Sequence, residues 1–154
     1  MAENTVTLNI DGKDVTVEKG TTVLQAAQKL DIHIPTLCYL KDVQAIGACR
    51  VCCVEVKGQR SLVASCVFPV ADGLVVQTNS PLAREARKMV VELLLSDHEM
   101  NCPICARNLN CELQALANQL GIRDIPYQGA KSPAVVDESS PSLRRDSAKC
   151  ILCR

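Results

Sequence analysis

Apolar and polar side chains alternate over the first 20 residues. Val6, Leu8 and Ile10 are the apolar positions of one segment, and Val15 and Val17 are those of a second segment that follows an Asp-Gly pair. A period of two is typical of a β-strand with one buried face, and Asp-Gly is a frequent hairpin turn. The pattern therefore predicts a β-hairpin.

A helix is predicted directly after the hairpin. Gly20 interrupts the strand pattern, and Thr21 or Thr22 can cap a helix. The apolar positions at helical spacing are Val23, Leu24, Ala27 and Leu30. We expect this helix to end before Ile34, because Pro35 disfavours helical geometry in the residue ahead of it.

Further strands are predicted around a loop that begins with a cysteine. The loop covers residues 38–48, and the strands lie near residues 51–56, 62–67 and 74–77. Two strands, a helix and then more strands indicate a small α+β domain that occupies residues 1–79.

The next part of the chain is predicted to be helical. Ser80 can cap a helix with Pro81 at its first position, where the missing N–H costs nothing. The apolar face of this helix contains Leu82, Ala86, Met89, Val90, Leu93 and Leu94. A second helix is expected over residues 112–120, ended by Gly121, so that a small helical domain covers residues 80–121.

The C-terminal part of the sequence shows little periodicity. Residues 122–146 contain three prolines and a Pro-Ser-rich stretch, which predict a linker or an extended wrap. Residues 147–154 belong to neither predicted domain.

Ten cysteines among 154 residues are the unusual feature of the composition. The N-terminus lacks a basic region followed by an apolar run, so we expect no secretory signal and few disulfides. No stretch reaches the roughly 20 apolar residues of a membrane span. Seventeen acidic and seventeen basic residues cancel, which argues against nucleic acid as a partner. We expect a cytoplasmic protein, or the soluble arm of a larger assembly.

A first group of cysteines has the spacing Cys-x10-Cys-x2-Cys-x13-Cys and consists of Cys38, Cys49, Cys52 and Cys66. A close pair with two distant partners is typical of a tetrathiolate centre, which can hold a 2Fe-2S cluster or zinc. Unrelated core cysteines are a third interpretation. The small residues of the loop 47–52 favour the cluster, because bridging sulfides need room and backbone N–H donors.

The residues around these cysteines resemble a known family. The segments are GTTVLQAA at 20–27, IPTLC at 34–38 and GACRVC at 47–52. They are similar to the N-terminal plant-type ferredoxin domain of iron-iron hydrogenases and of the large iron-sulfur subunit of respiratory NADH dehydrogenase. The resemblance implies a β-grasp fold for residues 1–79 and a 2Fe-2S cluster. It selects Cys52 over its neighbour Cys53, for which we expect the role of a small buried apolar side chain.

A second group, with the spacing His-x3-Cys-x2-Cys-x5-Cys, consists of His98, Cys102, Cys105 and Cys111. Without the resemblance, His98 is equally well interpreted as a cation at a helix C-terminus. The segments LLLSDH at 93–98 and NCPICARNLNCELQ at 101–114 resemble the family's 4Fe-4S site with one histidine and three cysteines. Glu99 is a departure from the family pattern, in which proline is common directly after this histidine. His33 has no cysteine at ligand spacing, so we expect a surface or core role for it.

A third group is incomplete. The segment DSAKCILCR at 146–154 resembles the opening of a bacterial-type two-cluster ferredoxin domain, of which it contains only Cys150 and Cys153. The chain is interpreted as part of a longer protein that would hold further 4Fe-4S clusters, with these two cysteines as a partial 4Fe-4S site. The alternative is a redox dithiol.

Neither four-ligand group offers a catalytic acid-base pair, so we expect this segment of an oxidoreductase to carry electrons. The segments NLNCELQ at 108–114 and LGIRDI at 120–125 look closer to multisubunit, NAD(P)-linked iron-iron hydrogenases. The resemblance implies a flavin- and NAD(P)-binding subunit, other iron-sulfur subunits or a soluble ferredoxin as partners. NADH-quinone oxidoreductase, NAD-linked formate dehydrogenase, a partner-docking module and a non-redox zinc scaffold remain alternatives.

Overall fold

A computed structural model describes residues 4–43 and 45–153. The N-terminal residues 1–3, Gln44 in the predicted cysteine loop, and Arg154 lie outside the described residues. The chain divides into two compact units, Met1–Arg87 and Lys88–Arg154. The predicted domain limits at residues 79, 121 and 146 stay predictions.

The first unit is built on a five-stranded mixed sheet. Strands β1 and β5 pair in parallel, and the other neighbours are antiparallel. The spatial order is β2-β1-β5-β3-β4. The strands are β1 (Thr5–Ile10), β2 (Lys13–Glu18), β3 (Cys53–Val56), β4 (Val63–Ala64) and β5 (Val75–Gln77). The α+β class predicted from the sequence is confirmed.

The predicted hairpin is confirmed as the pair β1 and β2, in which Val6 lies opposite Val17 and Leu8 opposite Val15. The connecting residue Asp11 has a φ of 50° and Gly12 has a φ of 83°. Positive φ at both central residues is the geometry of a type I′ turn, whose twist matches that of the strands. The Asp-Gly pair therefore fixes the register that buries one face.

The helix α1 (Val23–Lys29) covers the sheet. Thr22 caps it: its Oγ1 accepts the Gln25 N–H at 3.3 Å, and the Gln25 side chain accepts the Thr22 N–H at 3.0 Å. This reciprocal capping box satisfies two donors of the first turn. A core with little exposed surface forms between helix and sheet; it contains Leu8, Ile10, Val17, Val23, Leu24, Val54, Val56 and Val76.

Strands β3 and β4 are shorter than predicted, because the chain turns next to each. The Cys53 N–H donates to the Arg50 carbonyl at 3.2 Å, so β3 begins only at Cys53. The N–H groups of Val67 and Phe68 both donate to the Ala64 carbonyl, which ends β4 after two residues. Both turns lie beside cysteines of the first group.

The helix α2 (Pro81–Asp97) begins in the first unit and ends in the second. Ser80 Oγ accepts the Ala83 N–H at 3.2 Å, so the predicted cap is present. The second unit also contains a 3-10 turn (Cys102–Ile104) and α3 (Glu112–Gln119), which stops before Gly121 with its φ of 66°.

Residues 122–146 are mostly irregular, but they contribute two short strands that the sequence did not predict. These are β6 (Val136–Asp137) and β7 (Arg145–Asp146), which pair antiparallel, and a 3-10 turn (Ser147–Lys149) follows. Two-residue strands carry too little periodicity to be visible in a sequence. Across residues 4–43 and 45–153, no helix is long and apolar enough to cross a membrane.

Candidate iron-sulfur sites

The four cysteines of the first group are supplied by loops at the edges of the sheet. Cys38 follows α1, Cys49 and Cys52 precede β3, and Cys66 follows β4. Cys52 and Cys66 are each 1% exposed, Cys38 is 6% exposed, and Cys49 is half-buried. The sheet thus brings together sulfurs from segments that are far apart in the sequence.

Two of these thiols resist ionisation. Burial, together with the nearby Cys52, Cys38 and Cys49, raises the pKa of Cys66 to about 12. Burial also raises the pKa of Cys49, against hydrogen bonds from the Val51 and Cys38 amides. Thiols that resist ionisation in isolation need a bound cationic centre to hold them as thiolates. The donor set fits an iron-sulfur cluster.

The loop before β3 has a tightly turned backbone beside this site. Gly47 has a φ of 63° and Arg50 a φ of 59°, and a Cβ at position 47 would lie 3.0 Å from Val67 Cγ2. The Cys49 N–H points at Cys38 Sγ, with N and S 3.4 Å apart. Hydrogen bonds from amides to the ligating sulfurs tune the reduction potential of iron-sulfur clusters.

Cys52 and Cys53 are held in different surroundings. Ser65 Oγ donates to the Cys52 carbonyl at 2.8 Å, which fixes the backbone beside the predicted ligand. The Cys53 thiol instead donates to the Ala83 carbonyl, with the two atoms 3.7 Å apart, and Cys53 is 5% exposed. Cys53 therefore lies against the first turn of α2, in keeping with a buried non-ligand role.

In the second unit, one cavity is lined by all four side chains of the second group, His98, Cys102, Cys105 and Cys111. Cys102 and Cys105 lie at either end of the 3-10 turn, and Cys111 precedes the first residue of α3. The three thiols are half-buried. These three cysteines come from ten consecutive residues, so they are close together in the sequence, unlike those of the first group.

His98 has a buried Nδ1 that has no hydrogen-bond partner among the described residues. Burial lowers the pKa of this imidazole, and Lys149 and Lys131 lower it further, while Glu99 and Asp146 act in the opposite direction. A neutral imidazole is the form that binds metal. The orphaned nitrogen and the three facing thiols fit a cluster with one histidine and three cysteine ligands.

Gln114 holds the loop between Cys105 and Cys111. Its Oε1 accepts the Leu109 N–H at 3.0 Å, and its Nε2 donates to Asn108 Oδ1 at 3.1 Å. Leu109 has a φ of 63°, an unusual backbone conformation for a branched residue, and the two bonds stabilise it. The sequence does not predict this role, because a glutamine on a helix face carries no special signal.

The third group lies at the C-terminal end. The Leu152 N–H points at Cys150 Sγ at 3.4 Å, and Leu152 has a φ of 54°. Cys150 is half-buried and Cys153 is exposed. His33 is exposed, as expected for a residue outside the sites. Among the described residues, no three His, Cys, Asp or Glu side chains are placed to hold a single metal ion.

A family model described as a 2Fe-2S iron-sulfur cluster binding domain matches residues 3–81. The chain belongs to this 2Fe-2S cluster binding family. A second model, the iron-sulfur binding region of NADH-ubiquinone oxidoreductase-G, matches residues 87–126. The matches confirm the resemblance and support one 2Fe-2S and one 4Fe-4S cluster in place of zinc. This member of the 2Fe-2S family is an iron-sulfur electron-transfer module.

Its relatives are subunits of oxidoreductases. The chain is 49% identical over 97% of its length to an NADP-reducing hydrogenase subunit, HndD, of Solidesulfovibrio fructosivorans, and covers 26% of that protein. It is 41% identical over 98% of its length to a subunit of the NADH-quinone oxidoreductase of Streptomyces coelicolor, and covers 18% of it.

Among solved structures, the chain is similar to one from a crystal of an NAD+-reducing [NiFe]-hydrogenase in the H2-reduced state. The TM-score is 0.88 at 33% identity, and the match covers 96% of this chain and 62% of the other. The chain thus spans less than two thirds of the relatives that it matches. Since these relatives are subunits, further subunits are expected around this module.

Proposed function

We propose that Cys38, Cys49, Cys52 and Cys66 bind the 2Fe-2S cluster, and that His98, Cys102, Cys105 and Cys111 bind the 4Fe-4S cluster. The burial of Cys38, Cys52 and Cys66 and the Cys49 N–H directed at Cys38 Sγ support the first set. The shared cavity and the orphaned His98 nitrogen support the second set. When bound, each cluster accepts and releases single electrons.

We also propose that this segment carries electrons as the N-terminal part of an NAD(P)- or ferredoxin-linked hydrogenase of the iron-iron type. The observation that carries this is the 49% identity to the NADP-reducing hydrogenase subunit over nearly the whole chain. The chain's own residues would hold the clusters: Cys52 and Cys66 are buried, and the Cys49 N–H is directed at Cys38 Sγ.

The proposed partners are a flavin- and NAD(P)-binding subunit, other iron-sulfur subunits or a soluble ferredoxin, and the proposed location is the cytoplasm. Cys150 and Cys153 are proposed as two ligands of a further 4Fe-4S cluster. The N–H of Leu152 directed at Cys150 Sγ supports this, because cluster-binding loops present amides to sulfur.

A second candidate is the equivalent segment of an NADH-quinone oxidoreductase, favoured by the 41% identity to the Streptomyces coelicolor protein. The complex isolated from its source through a tag on this protein separates the two. Hydrogen-dependent reduction of NADP+ supports the hydrogenase. NADH-dependent reduction of a quinone, without hydrogen uptake, supports the second candidate and overturns the first.

The cluster content is tested by anaerobic iron and sulfide analysis with EPR of the dithionite-reduced protein. A 2Fe-2S and a 4Fe-4S cluster together give about six iron atoms, one slowly relaxing signal and one that is seen only near liquid-helium temperature. About two iron atoms with a single slow signal would mean that the His98 site holds no cluster.

The ligand choice between neighbours is tested by Cys52→Ser against Cys53→Ser. We expect the first variant to lose the slowly relaxing signal and the second to keep its visible absorption. The reverse result would assign Cys53 as the ligand. The two substitutions are matched in chemistry and in sequence position, so a general effect of lost thiol would alter both.

A further inference from the structure

Arg87 is a buried cation beside the proposed 2Fe-2S site, and none of the roles described above involves it. It is 5% exposed, although an arginine is rarely buried without an anionic partner. Its Nη2 donates to the Cys53 carbonyl at 2.7 Å and also to the Thr78 carbonyl. Its Nε is buried and has no hydrogen-bond partner in the part of the chain that the structure describes.

No carboxylate forms an ion pair with Arg87 within residues 4–43 and 45–153. Asp11 acts on it electrostatically, but the Asp11 carboxylate accepts hydrogen bonds from the amide and the hydroxyl of Thr78. The guanidinium hydrogen-bonds carbonyls, which carry no net charge. A buried charge in this position is costly unless an anion lies nearby.

The proposed cluster supplies that anion. Arg87 is hydrogen-bonded to the carbonyl of the residue that follows Cys52, so its charge lies close to a proposed ligand. The electrostatic partners that favour its charged form include Cys53 and Cys52, and burial opposes them by lowering its pKa. Four thiolates and two sulfides outweigh two ferric irons, so the cluster is anionic.

We propose that Arg87 is a positioning residue that sets the reduction potential of the 2Fe-2S cluster, by holding a fixed positive charge beside the backbone of Cys52. This rests on the proposed assignment of Cys52 as a ligand. One electron from a donor such as dithionite converts one ferric iron to ferrous iron and adds one negative charge to the cluster. A neighbouring cation stabilises the reduced form more than the oxidised form, and therefore raises the potential.

The test is an anaerobic redox titration of the reconstituted chain, followed by the slowly relaxing EPR signal. At the midpoint potential of the 2Fe-2S cluster in the unsubstituted protein, we expect Arg87→Gln to lower the ratio of reduced to oxidised cluster by roughly threefold or more. Arg87→Lys keeps the charge, and its ratio should stay within about twofold of the parent. The 4Fe-4S signal of the same sample is the internal reference.

Arg84→Gln is the matched control, because Arg84 is an exposed cation on the same helix whose charge is screened by solvent. We expect it to leave the ratio unchanged. The proposal is overturned if Arg87→Gln keeps its cluster with the parental ratio of reduced to oxidised cluster. It is also overturned if this ratio falls as far in Arg87→Lys as in Arg87→Gln.

If Arg87→Gln loses the cluster, Arg87→Lys decides the question. A parental ratio in the lysine variant supports the role of the charge. Loss of the cluster from both variants overturns it in favour of a purely structural role. Absence of the slow signal from the unsubstituted protein would instead overturn the proposed 2Fe-2S site, and this inference with it.

Discussion

The two proposed cluster sites differ in how deeply their cysteines are buried and in how many buried apolar residues surround them. The proposed ligands of the 2Fe-2S cluster lie in loops that adjoin a five-stranded sheet with a packed core, and two of them are 1% exposed. The proposed cysteine ligands of the 4Fe-4S cluster are half-buried, and the same segment contains Ile104 at 77% and Leu109 at 92% exposure. The buried apolar residues described in the second unit are Val91, Leu95, Leu113 and Leu116.

This difference indicates which of the two sites depends on its bound cluster for its order. A sheet with its own core can remain folded when a cluster is lost, whereas a loop with few apolar contacts gains much of its order from ligation. We therefore expect the fold to hold the first site and the cluster to order the second loop, and this is the contrast between the two sites.

The largest difference is expected between Cys111→Ala and Cys66→Ala. The first should lower iron from about six to about two atoms, and the second from about six to about four. In Cys111→Ala we expect loss of hydrogen-exchange protection in α3, while in Cys66→Ala the amides of β1 stay protected. Loss of protection in β1 as well would contradict the contrast. Cys53→Ser is the control for the loss of a thiol.

Gly47→Ala should destabilise the first unit more than Gly73→Ala does. Both positions have a positive φ, which costs a residue with a Cβ about 1–2 kcal/mol. Only at position 47 does the new Cβ meet another side chain, Val67, at 3.0 Å, while position 73 is open. Thermal unfolding of the two variants measures the difference. Equal melting temperatures would mean that Val67 moves aside.

Gln114→Ala should weaken the 4Fe-4S loop by about 1–2 kcal/mol, since two hydrogen bonds to the loop are lost. We expect faster bleaching of the fast-relaxing cluster in the presence of an iron chelator, with the 2Fe-2S signal unaffected. Gln119→Ala, an exposed glutamine on the same helix, is the matched control. Equal bleaching rates in both variants would show that the cluster alone orders the loop.

The smallest effect is expected for Thr22→Ala, which removes one half of the capping box of α1. The loss should destabilise the first unit by about 1 kcal/mol and leave both clusters in place. Chemical denaturation followed by circular dichroism measures it. Thr21→Ala is the control, and a similar loss of stability there would mean that the side-chain bond of Thr22 is not the cause.

Much of this fold could be predicted because its signals are local. The Asp-Gly turn, the Thr22 cap, Ser80 with Pro81, and the stop at Gly121 each depend on a few neighbouring residues. The class of fold and the two clusters could likewise be predicted, because cysteine spacing and flanking residues are properties of the chain itself.

What the sequence could not determine depends on contacts between distant residues. The parallel pairing of β1 with β5, the burial of Arg87 and the separate surroundings of Cys52 and Cys53 arise only when the sheet and the start of α2 pack together. The bonds of Gln114 and the short pair β6 and β7 leave no periodic signal. The turns, the caps, the fold class and the two clusters therefore follow from the order of residues along the chain. The charges and amides near the cysteines follow only from the folded structure, because they depend on three-dimensional proximity.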